Sequence, residues 1–342
     1  MAKLLIVTDA WTPQVNGVVT GVRNIAEALT KKGVDVFIVH PGLFGSARPM
    51  PLYPEIKVVL APGGRLRELF LQEKPDYVHI STEGMLGHFA RAYCLRHKIP
   101  FTTYYHTNFP LYIRYHVLFG RFLIKPSIRY IRWFHSAARA VFVATPGMKE
   151  ELESQGHKNV IISPHGVDTT LFTRDEARIP GEAKRFTKPV FVYVGRVSKE
   201  KNIEEFLDLD LPGTKLVIGD GPQLAEYKDT YADTVHFVGY KKGQDLVDWL
   251  SAGAVCVFPS RTDTFGLVVV EALSCGIPVA AHDVLGPRDI LTDGVDGVLS
   301  EDLKEAALRC LTLSREDCRK KALTYSWDSA ADTFWENVVR WG

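Results

Sequence analysis

Short runs of aliphatic and β-branched residues alternate with helical patterns along almost the whole chain. Residues 4–8 (Leu-Leu-Ile-Val-Thr) form the first run, followed by a loop over 11–18 and an amphipathic stretch over 21–32. Similar runs recur at 35–39, 57–60, 77–80, 101–105, 140–144 and 160–163. Short apolar strands separated by helical segments are the pattern of βαβ units, which build a parallel, doubly wound sheet. Over 173–188 the rhythm breaks into T-R-D-E-A-R-I-P-G-E-A-K-R-F-T-K, which is expected to be a linker. A second cycle opens at 190–194, with further strands expected at 215–218, 235–238, 254–258 and 278–281. Trp327, Ala331, Phe334, Val338 and Trp341 then fall at helical spacing on one apolar face. The expected organisation is a first α/β domain over 1–180, a second over 181–325, and a helix over 326–342 that docks back on the first. Two doubly wound halves place a ligand cleft at the carboxyl ends of their strands.

Length supports two domains, since 342 residues exceed what one core of about 250–300 residues accommodates. An apolar fraction of 46% with 24% charged residues is that of an ordinary globular protein, and a net charge of +1 selects no partner. Cys94, Cys256, Cys275, Cys310 and Cys318 are odd in number and contain no C-x-x-C pair, so reduced, buried thiols and a cytoplasmic setting are expected. The opening strand is too short for a signal peptide, and no apolar run approaches the ~20 residues that span a bilayer.

Chemistry concentrates in the glycine-bearing loops that end the strands. At 263–271 the chain reads D-T-F-G-L-V-V-V-E, so Asp263 and Glu271 flank a Phe-Gly turn that opens an apolar helix. The unpaired N–H groups and dipole of a helix opening favour an anion, and the two carboxylates suit hydroxyl-rich groups on either side of it. Taken alone, the segment also fits an Asp N-cap with a solvated Glu. Gly195-Arg196-Val197-Ser198-Lys199-Glu200-Lys201-Asn202 follows the first strand of the second half. Its Arg196 fork and Lys201 point charge complement a diphosphate, although a solvated basic turn has the same composition. Gly219-Asp220-Gly221-Pro222 reads as turn chemistry that shapes a wall. Val238 ends a strand whose backbone N–H and C=O suit a nucleobase edge. Gly17, in P-Q-V-N-G-V, lets a backbone N–H approach a phosphate, and the absence of G-x-G-x-x-G argues against a dinucleotide cofactor. Asp208-Leu209-Asp210 spells D-x-D, but it stands beside Pro212 away from the other motifs and reads as surface.

In order and spacing, P-Q-V-N-G-V, H-G-V-D, G-R-V-S-K-E-K-N, G-D-G-P and D-T-F-G-L-V-V-V-E resemble the retaining nucleotide-sugar glycosyltransferases of family four, over nearly the whole chain. The resemblance implies the GT-B fold, two Rossmann-like α/β domains facing across a cleft. It implies Gly17 beneath the donor phosphates, and Arg196 and Lys201 clamping the diphosphate. Asp263 would hold the sugar hydroxyls beside the backbone of Phe265, Gly266 and Leu267, Glu271 the ribose, and His106 the reacting sugar. It further implies retention by front-face attack, in which the leaving phosphate takes the acceptor proton. No cofactor and no metal are then expected, only a nucleotide-sugar substrate, a UDP-sugar or GDP-mannose. The chain departs from the family at Asp263, where Glu is common, and at His165, where Asn often precedes Gly-Val-Asp. Both positions are expected to face the sugar and so bear on its identity.

The acceptor reading rests on residues 84–149, which contain no Asp or Glu. Arg91, Arg96, Lys98, Arg114, Arg121, Lys125, Arg129, Arg132, Arg139 and Lys149 stand there among Tyr112, Tyr115, Phe119, Phe122, Tyr130, Trp133 and Phe134. A basic, aromatic surface suits anionic lipid headgroups. The expectation is therefore a peripheral enzyme of the cytoplasmic membrane face that glycosylates a lipid such as diacylglycerol, with no nucleic-acid partner. A saccharide acceptor, a nucleotide-sugar epimerase and a non-catalytic nucleotide-binding module are the alternatives.

Overall fold

The structure, a computed structural model, describes residues 1–14, 16–50, 53–116 and 122–338. Phe119, Arg121 and Trp341, and the side chains of Tyr112 and Tyr115, lie outside the described residues. The chain divides into two compact units. Unit 1 comprises Met1–Ile113, Phe119–His165 and Trp327–Gly342, and unit 2 comprises Arg114–Leu118 and Gly166–Ser326.

The first part of the chain runs β1 (Lys3–Val7), α1 (Gly17–Lys31), β2 (Asp35–Val39), β3 (Ala47–Met50), β4 (Tyr53–Val59), α2 (Gly63–Glu73) and β5 (Tyr77–Ile80). It continues through α3 (Met85–His97), β6 (Thr102–Tyr104), α4 (Phe109–His116), α5 (Ile124–His135), β7 (Val141–Val143), α6 (Pro146–Ser154) and β8 (Val160–Ile162). A six-stranded sheet has the order β2-β1-β5-β6-β7-β8, and every pair is parallel. The run over 57–60, expected in that sheet, instead belongs to β4, which pairs antiparallel with β3 in a separate two-stranded ribbon. Periodicity carries no pairing direction, and this is where it misled. α1 starts earlier than its apolar stripe suggests, because Asn16 caps it by accepting from the Val19 N–H at 3.0 Å. Its buried face, Val19, Val22, Ile25, Ala26 and Leu29, follows the 3.6-residue period.

Unit 2 runs β9 (Val190–Val194), α7 (Ile203–Asp208), β10 (Thr214–Ile218), α8 (Leu224–Tyr231), β11 (Val235–Phe237), α9 (Gly243–Leu250) and β12 (Val255–Phe258). Then come α10 (Leu267–Ser274), β13 (Val279–Ala281), α11 (Pro287–Ile290), β14 (Gly297–Leu299), α12 (Leu303–Cys310) and α13 (Arg315–Ala322). The parallel sheet order is β11-β10-β9-β12-β13-β14. β14 is too short, and too rich in glycine around it, to register as an apolar run. The expected boundary at 180/181 is also corrected: the long segment of unit 2 runs from Gly166 to Ser326. Arg319 on α13 binds the carbonyls of Thr169 and Phe172, each at 2.7 Å, and so draws that segment into unit 2. The stretch over 173–188 is likewise packed, burying Ala183 and Phe186, rather than a free linker.

α14 (Trp327–Asn337) belongs to unit 1, as expected of the C-terminal helix. Its Phe334 lies 4.9 Å from the His79 ring and 5.1 Å from Phe142, while Trp335 lies 4.7 Å from Tyr77. Lys32 at the end of α1 pairs with Asp332. Among the described residues, no helix is long and apolar enough to cross a membrane. The five cysteines are free and buried.

Candidate active-site residues

In a parallel doubly wound sheet, ligands bind where the strand order reverses, at the carboxyl ends of the two strands on either side. In unit 2 that point lies between β9 and β12, the strands that deliver the loops bearing Arg196, Lys201 and Asp263. Glycine makes the close packing of these loops possible. A Cβ on Gly219 would stand 1.8 Å from the Gly195 carbonyl oxygen, and one on Gly221 would stand 2.3 Å from that of Val197. The G-D-G-P turn therefore packs directly against the β9 loop at Gly195 and Val197, a more specific task than turn chemistry. The Tyr193 hydroxyl donates to the Arg196 carbonyl at 2.7 Å, and Val197 N–H donates to Asp220 O at 2.9 Å.

Lys201 and Asp263 form one unit. The Lys201 ammonium donates to Asp263 Oδ1 at 2.6 Å, joining the β9 loop to the β12 loop. Asn202, in the left-handed region at φ 54°, donates to the Pro259 carbonyl at 3.2 Å and also to Glu205, which His282 holds at 2.9 Å. Burial pushes the Asp263 carboxyl up, but the Lys201 charge and hydrogen bond outweigh it and hold the group below its ordinary value. Asp263 Oδ2, Ser198 Oγ and Ser260 Oγ are buried without a hydrogen-bond partner among the described residues. Buried polar atoms are rarely left so; the Ser260 hydroxyl stands close enough to Asp263 to help lower its carboxyl. Arg196 Nε lies 3.8 Å from Glu200 Oε1.

The helix after Asp263 is capped by Gly266, at φ 92°, with no side-chain cap bond. Asp263 is thus not an N-cap, and the N-terminus of α10 at Leu267 carries no side-chain cap. Phe265 is buried beside Tyr325, with ring centroids 5.8 Å apart. Glu271, further along α10, has no ion-pair or hydrogen-bond partner among the described residues, and burial raises its carboxyl to about 7. Val238 corrects one expectation. Its N–H donates to Val217 O at 3.1 Å in the sheet ladder, which leaves only its carbonyl for a base.

Gly17 and His106 lie in unit 1. There the strand order reverses between β1 and β5, and Gly17 is the exposed first residue of α1. Asp9 closes this region. It accepts from Thr82 Oγ1 at 2.9 Å, Leu86 N–H at 2.8 Å and Gly87 N–H at 3.2 Å, and so caps α3 from a distance in sequence that no local pattern reveals. His106 Nε2 bonds Ser81 Oγ at 2.9 Å, and its ring stacks on Tyr104 with centroids 3.9 Å apart. Burial, and then His165, His79 and His135, push it well below its ordinary value, so the ring is neutral. His135 bridges Thr103 at 2.8 Å and Glu83 at 3.1 Å. His165 stands near His106, their ring centroids 5.9 Å apart. It is buried against α1, where a Cβ on Gly21 would stand 2.9 Å from its ring, and burial lowers it to about 4. His79, Ser81, His106 and His165 line a cavity of about 20 Å³, large enough for one water.

Asp208 and Asp210 are exposed, accepting from Tyr231 and Lys304. Among the described residues, no group of three or more His, Cys, Asp or Glu is disposed to hold a metal ion.

Two parallel doubly wound units, with a cation–carboxylate pair and an uncapped helix end at the switch point of the second, define a glycosyltransferase of the GT-B class. Residues 15–171 match the family described as Glycosyltransferase Family 4, and residues 188–316 match Glycosyl transferases group 1. The chain belongs to glycosyltransferase family 4. It is 30% identical to sulfoquinovosyl transferase SQD2 of Arabidopsis thaliana, over 83% of this chain and 60% of that protein. It is 26% identical to a GDP-mannose-dependent alpha-mannosyltransferase of Mycobacterium tuberculosis, over 87% of this chain and 83% of the relative. Alpha-monoglucosyldiacylglycerol synthase of Streptococcus pneumoniae is 26% identical, over 98% and 84%. The fold matches sucrose-phosphate synthase from Thermosynechococcus elongatus with TM-score 0.79 at 20% identity, covering 98% of each chain. It also matches Anabaena HepE, solved with UDP and glucose, with TM-score 0.71 at 15% identity over 98% and 99%.

Proposed function

We propose that this protein is a retaining glycosyltransferase that moves a hexose or hexuronic acid from a UDP-sugar to a membrane lipid such as diacylglycerol. The donor half of the reading is supported by the Lys201–Asp263 pair, by Arg196, and by the α10 N-terminus, which together meet a diphosphate and the sugar hydroxyls next to it. The leaving diphosphate's charge is neutralised by these groups, with no metal required. Glu271 takes the ribose and the Val238 carbonyl takes the base. His106 and Gly17 serve from unit 1, His106 as a neutral hydrogen-bonding group oriented by Ser81. The leaving phosphate removes the acceptor's proton.

One observation carries the acceptor half. α5 and the residues before it expose Phe122, Leu123, Tyr130 and Trp133, with Trp133 48% accessible. Lys125 and Arg129 stand exposed beside them, with no ion-pair partner among the described residues. Arg132 is also exposed there. Three such cations near an anionic surface, at about 1 kcal/mol each, give reversible attachment. Arg91 does not belong to this surface. It is buried, donates to the Phe134 and Trp133 carbonyls at 2.9 Å, and lies 4.1 Å from the Trp133 ring, so it fixes the exposed indole in place. The relative named alpha-monoglucosyldiacylglycerol synthase supports a lipid acceptor. Relatives named GDP-mannose-dependent mannosyltransferases support a second reading, GDP-mannose as donor.

The test is product analysis by mass spectrometry. The protein is incubated separately with UDP-glucose, UDP-galactose, UDP-glucuronate and GDP-mannose over anionic vesicles containing diacylglycerol. A glycosylated lipid from a UDP donor is expected. Product from GDP-mannose alone moves the donor to the second reading, and nucleotide release without glycolipid refutes the lipid acceptor.

A further inference from the structure

The pairing of Lys201 with Asp263 poses a problem for a donor site. Resting on the transferase reading above, the ammonium that should hold the diphosphate is already bound to the carboxylate that should hold the sugar, at 2.6 Å. Arg196 likewise has Glu200 at 3.8 Å. These four groups pair off as two cations and two carboxylates, so a diphosphate entering the free site meets little net positive charge. The backbone beside Lys201 does not yield, because Asn202 is held to Pro259 and Glu205. What can move is the lysine's flexible stem, and an ammonium has three donors to distribute. Asp263 is asymmetric: Oδ1 holds Lys201, while Oδ2 is buried and makes no well-formed hydrogen bond among the described residues, with the Ser260 hydroxyl the polar side chain near the carboxyl besides Lys201. A sugar hydroxyl that donates to Oδ2 would fill that vacancy, and each donor added to a carboxylate lowers the strength with which it holds the others.

We propose that Asp263 and the donor diphosphate compete for Lys201, and that the donor's sugar decides the contest. While the sugar is present, its hydroxyls engage Asp263 and the ammonium passes to the diphosphate. Once the sugar has been transferred, Asp263 takes Lys201 back, and the spent nucleoside diphosphate is held more weakly. The coupling is reciprocal, since whatever the sugar contributes to diphosphate binding the diphosphate contributes to sugar binding. Asp rather than Glu at this position suits the role, because a side chain one methylene shorter is held at the lysine and reaches less far toward the sugar unaided.

Calorimetric titration of the full chain with UDP and with GDP, neither carrying a sugar, tests this directly. The nucleoside diphosphate that the wild type binds should bind Asp263→Asn about five- to tenfold more tightly, a change of roughly one logarithmic unit in Kd. In a Lys201→Met background the same Asp263→Asn change should give no gain. A double-mutant cycle of this form isolates the pairwise contribution. Equal or weaker binding by Asp263→Asn overturns the proposal. So does a gain of the same size in the Lys201→Met background, which would show only the loss of a distant negative charge. Should Asp263→Asn melt well below the wild type, Asp263→Ser removes the same charge with less side chain and is judged by the same criteria. Wild-type protein that binds neither UDP nor GDP would instead refute the donor reading itself.

Discussion

Both units are six-stranded parallel sheets with a single reversal of strand order, between β1 and β5 in one and between β9 and β12 in the other, yet they finish these switch points in opposite ways. In unit 1, Asp9 and Thr82 bond each other across the reversal, Asp9 also caps α3, and Ser81, Thr102 and Thr103 each hold a histidine. Bonding capacity there is largely consumed within the protein. In unit 2 the corresponding segments leave Asp263 Oδ2, Ser198 Oγ and Ser260 Oγ buried without a well-formed hydrogen bond, and Glu271 without a hydrogen-bond or ion-pair partner, among the described residues. A topology that tolerates a ligand at this point does not by itself make a binding site. What distinguishes unit 2 is polar capacity that the fold leaves open, at a cost in stability that a bound polar ligand would offset.

The sharpest way to break this contrast is Asp263→Ala. It should lower transfer by about a hundred- to a thousandfold, as loss of one preorganised polar group does, while thermal unfolding stays cooperative. Transfer within about tenfold of wild type would deny unit 2 its special status. Next in size is Gly219→Ala. A methyl 1.8 Å from the Gly195 carbonyl forces the β9 and β10 loops apart. We expect a loss of about 3 kcal/mol or more, in the range of severe overpacking. Denaturant unfolding followed by hydrogen exchange should localise the loss to unit 2. Equal loss of protection in unit 1 would show that the units do not unfold separately.

Glu271 offers a subtler test. Its carboxyl rises from an ordinary 4.5 to about 7 in the folded chain. The folded state therefore holds the proton more tightly than the unfolded state, and Glu271 lowers stability as pH climbs from about 4.5 to 7. Glu271→Gln should remove this loss and raise stability at pH 8 by up to about 3 kcal/mol, with little change at pH 4. Nucleotide affinity should behave inversely. Ribose hydroxyls donate best to the ionised carboxylate, so wild-type affinity should fall as pH drops below 7, and calorimetry of Glu271→Gln should show a flatter slope. The smallest effect is expected from Thr82→Val in unit 1. It removes both bonds that the Thr82 hydroxyl makes with Asp9, one accepted from the Asp9 N–H and one donated to Oδ2, and should cost about 1–3 kcal/mol without changing nucleotide affinity. An affinity change in this variant would show that the closed half also contributes to the donor site.

Much of this was legible in the residues. The strands of both main sheets, apart from β14, appear as apolar runs, because a strand buried on both faces has few polar positions to obscure it. Arg196, Lys201, Asp263 and Glu271 declared themselves by charge in otherwise apolar or glycine-rich surroundings. The α10 opening was visible in Phe265-Gly266. The antiparallel ribbon of β3 and β4 was not, since pairing direction leaves no trace in hydrophobic spacing. Nor was the early start of unit 2, which depends on Arg319 reaching Thr169 and Phe172. The opposite fates of Arg91 and Lys125 were equally hidden. Both are basic residues in one acid-free stretch, and only the packing of α3 on α5 turns one inward to a carbonyl and an indole.

By itself, then, the amino-acid order determined the two doubly wound halves, the family, and the charged residue types carried on the strand-end loops. These follow from periodicity, glycine placement and charge, which are local properties. The tertiary structure alone decided which of those groups are bound to one another. That Lys201 is held by Asp263, that Val238 has spent its N–H in a sheet, and that His165 is walled in by Gly21 are facts about residues tens to hundreds of positions apart or about strands side by side. Hydrogen bonds and burial act over a few ångströms in space, and only the fold specifies which distant residues come that close.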